Sequence, residues 1–181
     1  NVIDTRTFNI TNSMCLAQGL NFQPGVRTED NCANCGFSQV RINGLDGHYS
    51  QILIDSRPVF SALQGVYGLE QIPANMIERV EVVRGGGSAL YGSSAIGGTI
   101  NIITKEPLSN YAELAHTFTA YEGGKTFDNN TTVNTSIVSS NNKAGFSVYG
   151  QSHNRGGYDR DQDGFTDLPK LINKTIGMGA F

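Results

Sequence analysis

The sequence predicts two regions of different class. Residues 1–106 read as an α+β domain, a small mixed sheet with short helices. Residues 107–181 read as antiparallel transmembrane β-strands of an incomplete barrel. Two observations carry this division. Ile77–Lys105 has the order strand, glycine turn, short helix, glycine turn, strand. After Pro107 the pattern becomes dyad alternation over segments of about ten residues with aromatic ends, the signature of strands that cross a membrane as a barrel.

In chain order, Val2-Ile3-Asp4 reads as the end of a strand. Asn9–Leu20 reads as a helix, with Thr11 or Asn12 as N-cap and Gly19 near its end. Pro24-Gly25 is a turn and Val26–Asp30 a short strand. In Ser38–Asn43, Val40 and Ile42 alternate with Gln39 and Arg41, and a glycine-punctuated loop follows through Tyr49. Gln51–Asp55 is apolar and β-branched, and Asp55–Pro58 turns it toward a short partner at Val59-Phe60. Ser61–Gln71, small and apolar, holds a turn of helix. Glu78–Arg84 alternates charge with Val80, Val82 and Val83. Three glycines, Gly85–Gly87, then break the ladder, and Ser88 caps a short helix through Tyr91. Gly97-Gly98 end that piece, and Thr99–Thr104 is a second β-rich run.

The alternation beyond Pro107 is explicit in Tyr111–Tyr121. It sets Ala112, Leu114, His116, Phe118 and Ala120 on one face, and Tyr111, Glu113, Ala115, Thr117 and Thr119 on the other. Asn130–Val138, Ala144–Val148 and Ile172–Ala180 repeat it. Ser139–Lys143 is a tight polar turn, whereas His153–Leu171 is a long polar loop. Barrels carry short turns on the periplasmic side and long loops outside, so the loop around Asp161 is expected to be extracellular. A plugged barrel needs about 22 strands, so most of it is expected outside this chain. No signal peptide opens the sequence, and a fragment or processed product is expected.

Several function classes recede on these residues. A net charge of −3 gives no basis for nucleic-acid binding. No apolar run reaches the length of a membrane-spanning helix. The glycine turn lacks the lysine of a phosphate-cradling loop, and Leu90 stands where a dinucleotide fingerprint needs its third glycine. The three histidines, His48, His116 and His153, are dispersed, and no serine sits in a nucleophile elbow. Asp55 and Glu81, each flanked by strand residues, read as solvated or ion-paired carboxylates.

Three groups remain as candidates. Asp159, Asp161, Asp163 and Asp167 place carboxylates at alternate positions around Gly164, matching the first half of a calcium loop. Lys170 occupies the twelfth position, so the EF-hand pattern fails, and the choice lies between a looser calcium site and a solvated acidic turn. Cys32 and Cys35 form a lone C-x-x-C without partners for zinc. Their polar flanks favour a structural disulfide over a redox pair, which fits an oxidising compartment. Cys15, among Met14, Leu16 and Leu20, reads as a small buried hydrophobe. His48-Tyr49, in a glycine-flanked loop, is the ligand-contact candidate, set against a turn histidine with no ligand.

Glu81-Val82-Val83-Arg84-Gly85, Ala89-Leu90-Tyr91-Gly92 and Gly97-Gly98-Thr99-Ile100-Asn101-Ile102 together closely resemble the C-terminal part of the plug domain of TonB-dependent outer-membrane receptors. Val40-Arg41-Ile42-Asn43-Gly44, Ile52-Leu53-Ile54-Asp55, Pro58-Val59 and Ile72-Pro73 ahead of Ile77-Glu78-Arg79-Val80-Glu81 extend the resemblance over residues 1–106. It implies a multi-pass β-barrel of a Gram-negative outer membrane, gated by the plug, and transport rather than catalysis. A TonB box is expected upstream of Asn1. TonB, with ExbB and ExbD and driven by the proton gradient, would pull on the plug once a scarce ligand binds between plug apex and barrel loops. Glu78, Arg79, Glu81 and Arg84 would form ion pairs to the barrel wall, against the plainer reading of surface charge on a strand.

Cys32-x-x-Cys35-Gly36-Phe37 and Ser56-Arg57-Pro58 look most similar to haem or cobalamin receptors of Bacteroidetes, to which a surface lipoprotein would deliver the ligand. Haem would take His48 or Tyr49 as ligand, and cobalamin the polar loops with calcium at Asp159, Asp161 and Asp163. No cofactor is required. Ferric siderophores are the alternative cargo, and a soluble periplasmic binding module is the alternative class.

Overall fold

The computed structural model describes residues 1–32, 37–59, 69–86 and 88–181, with the backbone alone at 30–32, 37, 88 and 93. The expected Cys32–Cys35 disulfide, the Phe60 end of a partner strand and most of the Ser61–Gln71 helical turn lie outside the described residues. The chain forms two compact units, one of residues Asn1–Asn31 with Phe37–Lys105, the other containing Glu106–Phe181.

In the first unit, β1 (Val2–Asp4) leads into α1 (Thr5–Ile10) and α2 (Leu16–Leu20), followed by β2 (Val26–Cys32) and β3 (Phe37–Ile42). A 3-10 turn at Gly47–Tyr49 precedes β4 (Ser50–Ile54) and β5 (Arg57–Pro58). Then come β6 (Ile77–Arg84), α3 (Ser88–Tyr91) and β7 (Gly98–Thr104). Five strands form a mixed sheet in the order β1-β6-β7-β4-β5, and β2 pairs with β3. β7 runs parallel to β4 and antiparallel to β6. Val80, Val82, Ile100, Ile102 and Ile52 are buried along the sheet, together with Phe8, Leu16 and Leu20 from the helices. Each such side chain contributes about 1.5–3 kcal/mol on burial.

The Asn9–Leu20 helix is two helices. Asp4 caps the first, its carboxylate accepting from the Thr7 backbone N–H and hydroxyl, both at 2.9 Å. Those bonds, the backbone one foremost, hold the Asp4 carboxyl below its ordinary value. Asn12 then takes φ 51°, a left-handed conformation that ends helical propagation. Cys15, 3% exposed, fulfils the reading of a small buried hydrophobe. The β4–β5 hairpin is two residues tighter than expected, its second strand starting at Arg57, because Asp55 and Ser56 both adopt positive φ, as a two-residue primed turn requires.

In the second unit, β8 (Tyr111–Tyr121), β9 (Thr126–Val138), β10 (Gly145–Arg155) and β11 (Leu171–Ala180) form an antiparallel sheet in sequential order. His153 therefore belongs to a strand, and the loop expected from it begins only at Gly156. Register places Leu114 opposite Val133, Val133 opposite Gly150, and Gly150 opposite Ile176. This face is broadly apolar and open: Leu114 is 75% exposed, Ile137 68% and Ile176 77%. The opposite face carries buried Asp128, Asn130, Asn134, Gln151 and His153. An apolar outside with a polar inside is the inverse of a soluble sheet and fits a strand series of a lipid-facing barrel. Tyr149 lies over Gly177, where a Cβ would meet its ring at 2.1 Å.

Gly98 tests the packing of the first sheet. It has φ +145°, and a Cβ there would meet the Val83 carbonyl oxygen at 2.3 Å. Gly44, at φ +80°, has nothing within 4 Å of that position. Gly98→Ala is expected to cost roughly 2–4 kcal/mol, and Gly44→Ala about 1 kcal/mol. Urea midpoints of the two variants check this, and equal losses would count against the close approach.

Candidate functional site

Sheet topology decides which loops meet. β4 and β7 are parallel and begin at the same end of the sheet, where antiparallel β6 finishes. That end gathers the β3–β4 loop with His48 and Tyr49, Arg84, and residues 85, 86 and 88–97. Gly97 N–H donates to the Tyr49 carbonyl at 2.8 Å, and Gly85 N–H to the Gly97 carbonyl at 2.9 Å. Asn43 N–H donates to the Gly25 carbonyl at 2.9 Å, which ties the Pro24-Gly25 turn to the same end. Arg84 Nη1 contacts the Pro24 carbonyl at 3.5 Å.

Within the loop, His48 Nδ1 lies 3.1 Å from Asp46 Oδ1, and the His48 and Tyr49 ring centroids are 3.9 Å apart. Gln39, buried at 3% exposure, donates to the same Asp46 oxygen. Partial burial raises the Asp46 carboxyl, but hydrogen bonds from the His48 side chain and backbone and from Gln39 outweigh it. The net effect holds Asp46 below the ordinary carboxylate range. The loop was legible from its glycines, whereas Asp46 and Gln39 were not singled out. Gln39 reaches the loop from a strand, and only the fold brings the two together.

The acidic candidates lie between β10 and β11. Carboxylate oxygens of Asp159, Asp161 and Asp167 lie within 4.8 Å of one another. Asp163 is not in that group; its Oδ1 accepts from Phe165 N–H at 2.8 Å. Asp159 accepts from Gln162 N–H at 2.7 Å and Gly164 N–H at 2.9 Å, and Asp167 from Arg160 N–H at 2.8 Å. Paired bonds between Tyr158 and Leu168 close the base of the loop. Hard carboxylate oxygens in such a cluster suit calcium or magnesium rather than a soft metal.

The charged residues of β6 pair along their own strand. Arg79 Nε meets Glu81 at 2.9 Å, and Arg79 Nη1 meets Glu78 at 3.4 Å. Asn101 connects Glu81 to Ser56, and Asp55 accepts from the Thr104 N–H and hydroxyl. Sequence reasoning missed two further groups. His153 Nε2 and Asp128 Oδ1, both 2% exposed, are 2.7 Å apart on the polar face of β9 and β10. At the end of β8, Glu122 accepts from the Tyr158 hydroxyl at 2.5 Å, Lys125 at 3.2 Å and Arg160 at 3.0 Å. Lys125 is three residues from Glu122, but His153 is 25 from Asp128 and Tyr158 is 36 from Glu122, separations that only the fold brings together.

The Glu122 cluster gives a pH prediction. The Tyr158 hydroxyl first, then Lys125, holds Glu122 below its ordinary 4.5, while Tyr158 first and then Glu122 raise Lys125 above 10.5. The glutamate contribution is therefore present above its unfolded pKa and lost as pH falls through the lowered folded value. The lysine contribution is present below its unfolded pKa and lost as pH rises through the raised one. The difference in thermal midpoint between the native chain and Glu122→Gln should be steady at neutral pH and shrink toward zero below the glutamate range. A difference unchanged down to acid pH would remove the cluster from loop anchoring.

Comparison with known proteins agrees with this geometry. The chain is 36% identical over 103 residues to the vitamin B12 transporter BtuB of Vibrio vulnificus, covering 57% of this chain and 17% of that protein. It is 33% identical over 104 residues to BtuB of Vibrio cholerae, with coverages of 58% and 17%. The chain thus spans about a sixth of the length of these relatives. Among solved structures, the siderophore receptor PirA of Acinetobacter baumannii superposes with a TM-score of 0.75 at 24% identity, covering 90% of this chain and 25% of that one. The unliganded ferric citrate transporter FecA gives 0.70 at 22% identity, with coverages of 87% and 25%. These likenesses establish a shared fold. Residues 1–99 match the TonB-dependent Receptor Plug Domain family, and the chain belongs to that family.

Proposed function

We propose that this chain is the plug and the first barrel strands of an outer-membrane active transporter that imports a scarce metal chelate, with haem or cobalamin as the favoured cargo. The family match over residues 1–99 carries the reading. Identity to vitamin B12 transporters within the plug supports the cobalamin arm. The siderophore receptors are alike in fold, below 25% identity, and favour no cargo. No bond of the cargo is broken. The ligand binds the loops at the β4–β7 end of the plug sheet and biases a conformational equilibrium by its differential affinity for the two states. TonB, with ExbB and ExbD, then supplies work from the proton gradient at the periplasmic side. Besides the pairs of Arg79 with Glu78 and Glu81 and the contact of Arg84 with the Pro24 carbonyl, we propose that these four β6 charges face the barrel wall.

Uptake tests the reading. Cells lacking their own receptor and carrying the full-length protein should accumulate labelled cyanocobalamin or haem, and a protonophore should abolish it. Accumulation of neither, or import indifferent to the protonophore, would count against it.

Calcium belongs to the same reading. Asp159, Asp161 and Asp167 offer an all-oxygen set on an outer loop, where sites of about millimolar affinity suffice. Calcium at that level should raise the thermal midpoint of the full-length receptor, and Asp161→Asn should remove the rise. An unshifted midpoint in the unmodified receptor would leave only an acidic turn.

A further inference from the structure

We propose that the outward face of the second unit holds a phosphorylated glycolipid headgroup of the outer leaflet, on a polar row that carries Lys174. This goes beyond the transport reading and depends only on these strands facing lipid. Register sets His116 opposite Thr131, Thr131 opposite Ser152, and Ser152 opposite Lys174. Side chains two apart on a strand share a face, so this row lies directly beside the open row of Leu114, Val133, Gly150 and Ile176. His116, Ser152 and Lys174 are exposed, and Thr131 is half-buried.

A lipid-facing surface has to account for such a row. A lysine there costs about 2–4 kcal/mol at the bilayer midplane and about 0–1 kcal/mol near an interface. Lys174 therefore marks a headgroup boundary, where its long stem lets the ammonium reach the polar layer. The rest of the face agrees on which boundary. Lys174 lies in the half of β11 nearer the long β10–β11 loop. Phe118 and Phe127 stand one and two rows further toward that end, stacked with centroids 5.4 Å apart and both exposed. Barrels carry aromatic girdles at their interfaces and long loops outside, which makes this the outer leaflet.

Charge then selects the headgroup. Among the described residues, the outward positions of β8–β11 include no carboxylate, and Lys174 is their one fixed charge. Hydroxyls of Thr131 and Ser152 accompany it in the row, and the amides of Asn129 and Asn154 lie one row nearer the loops. At the far end His116 Nδ1 is 2.8 Å from the Thr131 hydroxyl. Ammonium, hydroxyls and amides can all donate, as the oxygens of a phosphate require. The row crosses four strands. At the usual strand spacing it spans roughly 14 Å, room for a disaccharide headgroup with more than one phosphate. Acyl chains of the same lipid would cover Leu114 and Ile176 beside it, so one molecule satisfies both rows.

Native mass spectrometry of the full-length receptor in detergent tests this, with bisphosphorylated lipid A, the same glycolipid stripped of phosphate, and phosphatidylglycerol as probes. The bisphosphorylated glycolipid should bind in preference to the other two. Lys174→Gln should weaken it about fivefold, the worth of one cation at an anionic surface, and Lys174→Arg should retain it. Heat-dependent gel mobility shows whether each variant has closed its barrel. If Lys174→Gln has not, Ser152→Ala combined with Thr131→Ala takes its place, with weaker binding of the phosphorylated form again expected. Equal binding of the two glycolipids overturns the phosphate assignment, and equal binding of phosphatidylglycerol overturns the choice of headgroup. Unchanged binding by a folded variant removes the row from the site. A receptor dimer that dissociates on Lys174→Gln would mean that a second copy, not lipid, covers this face.

Discussion

The first unit depends on the hydrogen bonding of β7 to strands on both sides. Antiparallel pairing with β6 and parallel pairing with β4 places the start of β7, the start of β4 and the end of β6 at one end of the sheet. The β3–β4 loop, Arg84 and the glycine-rich connection meet there for that reason. Gly98 permits the close approach of β6, since a side chain would strike the Val83 carbonyl. Glycine here is a matter of backbone clearance, and the site follows from it.

The same sheet separates two kinds of polar chemistry. Its opposite end closes on itself, with Asp55 taking the Thr104 donors and Asn101 joining Glu81 to Ser56. At the β4–β7 end an exposed histidine is held by braced neighbours. A polar group whose bonds are satisfied within the sheet rigidifies it, whereas an exposed group held by its neighbours is prepared to bind something else. The second unit arranges polarity by strand periodicity. Its apolar side chains are open and its polar ones buried, an order that water would penalise and lipid favours. Unpaired edges on β8 and β11 are what an incomplete barrel presents.

Much of this was legible beforehand. Period-two alternation located all four strands of the second unit, because the pleat repeats strictly every two residues. Glycine runs located the turns around α3. Hydrophobic spacing over Asn9–Leu20 suggests one helix, but the Asp4 cap and the left-handed Asn12 divide the segment into two. His153 reads as a loop residue in sequence because polar strand residues on a buried face look like loop residues.

The sequence by itself determined the two-part organisation and the family resemblance. These depend on local periodicity and on contiguous motifs, which a linear reading can see. Tertiary structure alone decided the partners: Gln39 behind Asp46, Asp128 beside His153, and Tyr158 and Arg160 beside Glu122. It also admitted Asp159, Asp161 and Asp167 to one cluster and left Asp163 outside it. Each of these depends on strand register or loop closure, and a one-residue slip in register would reverse every face.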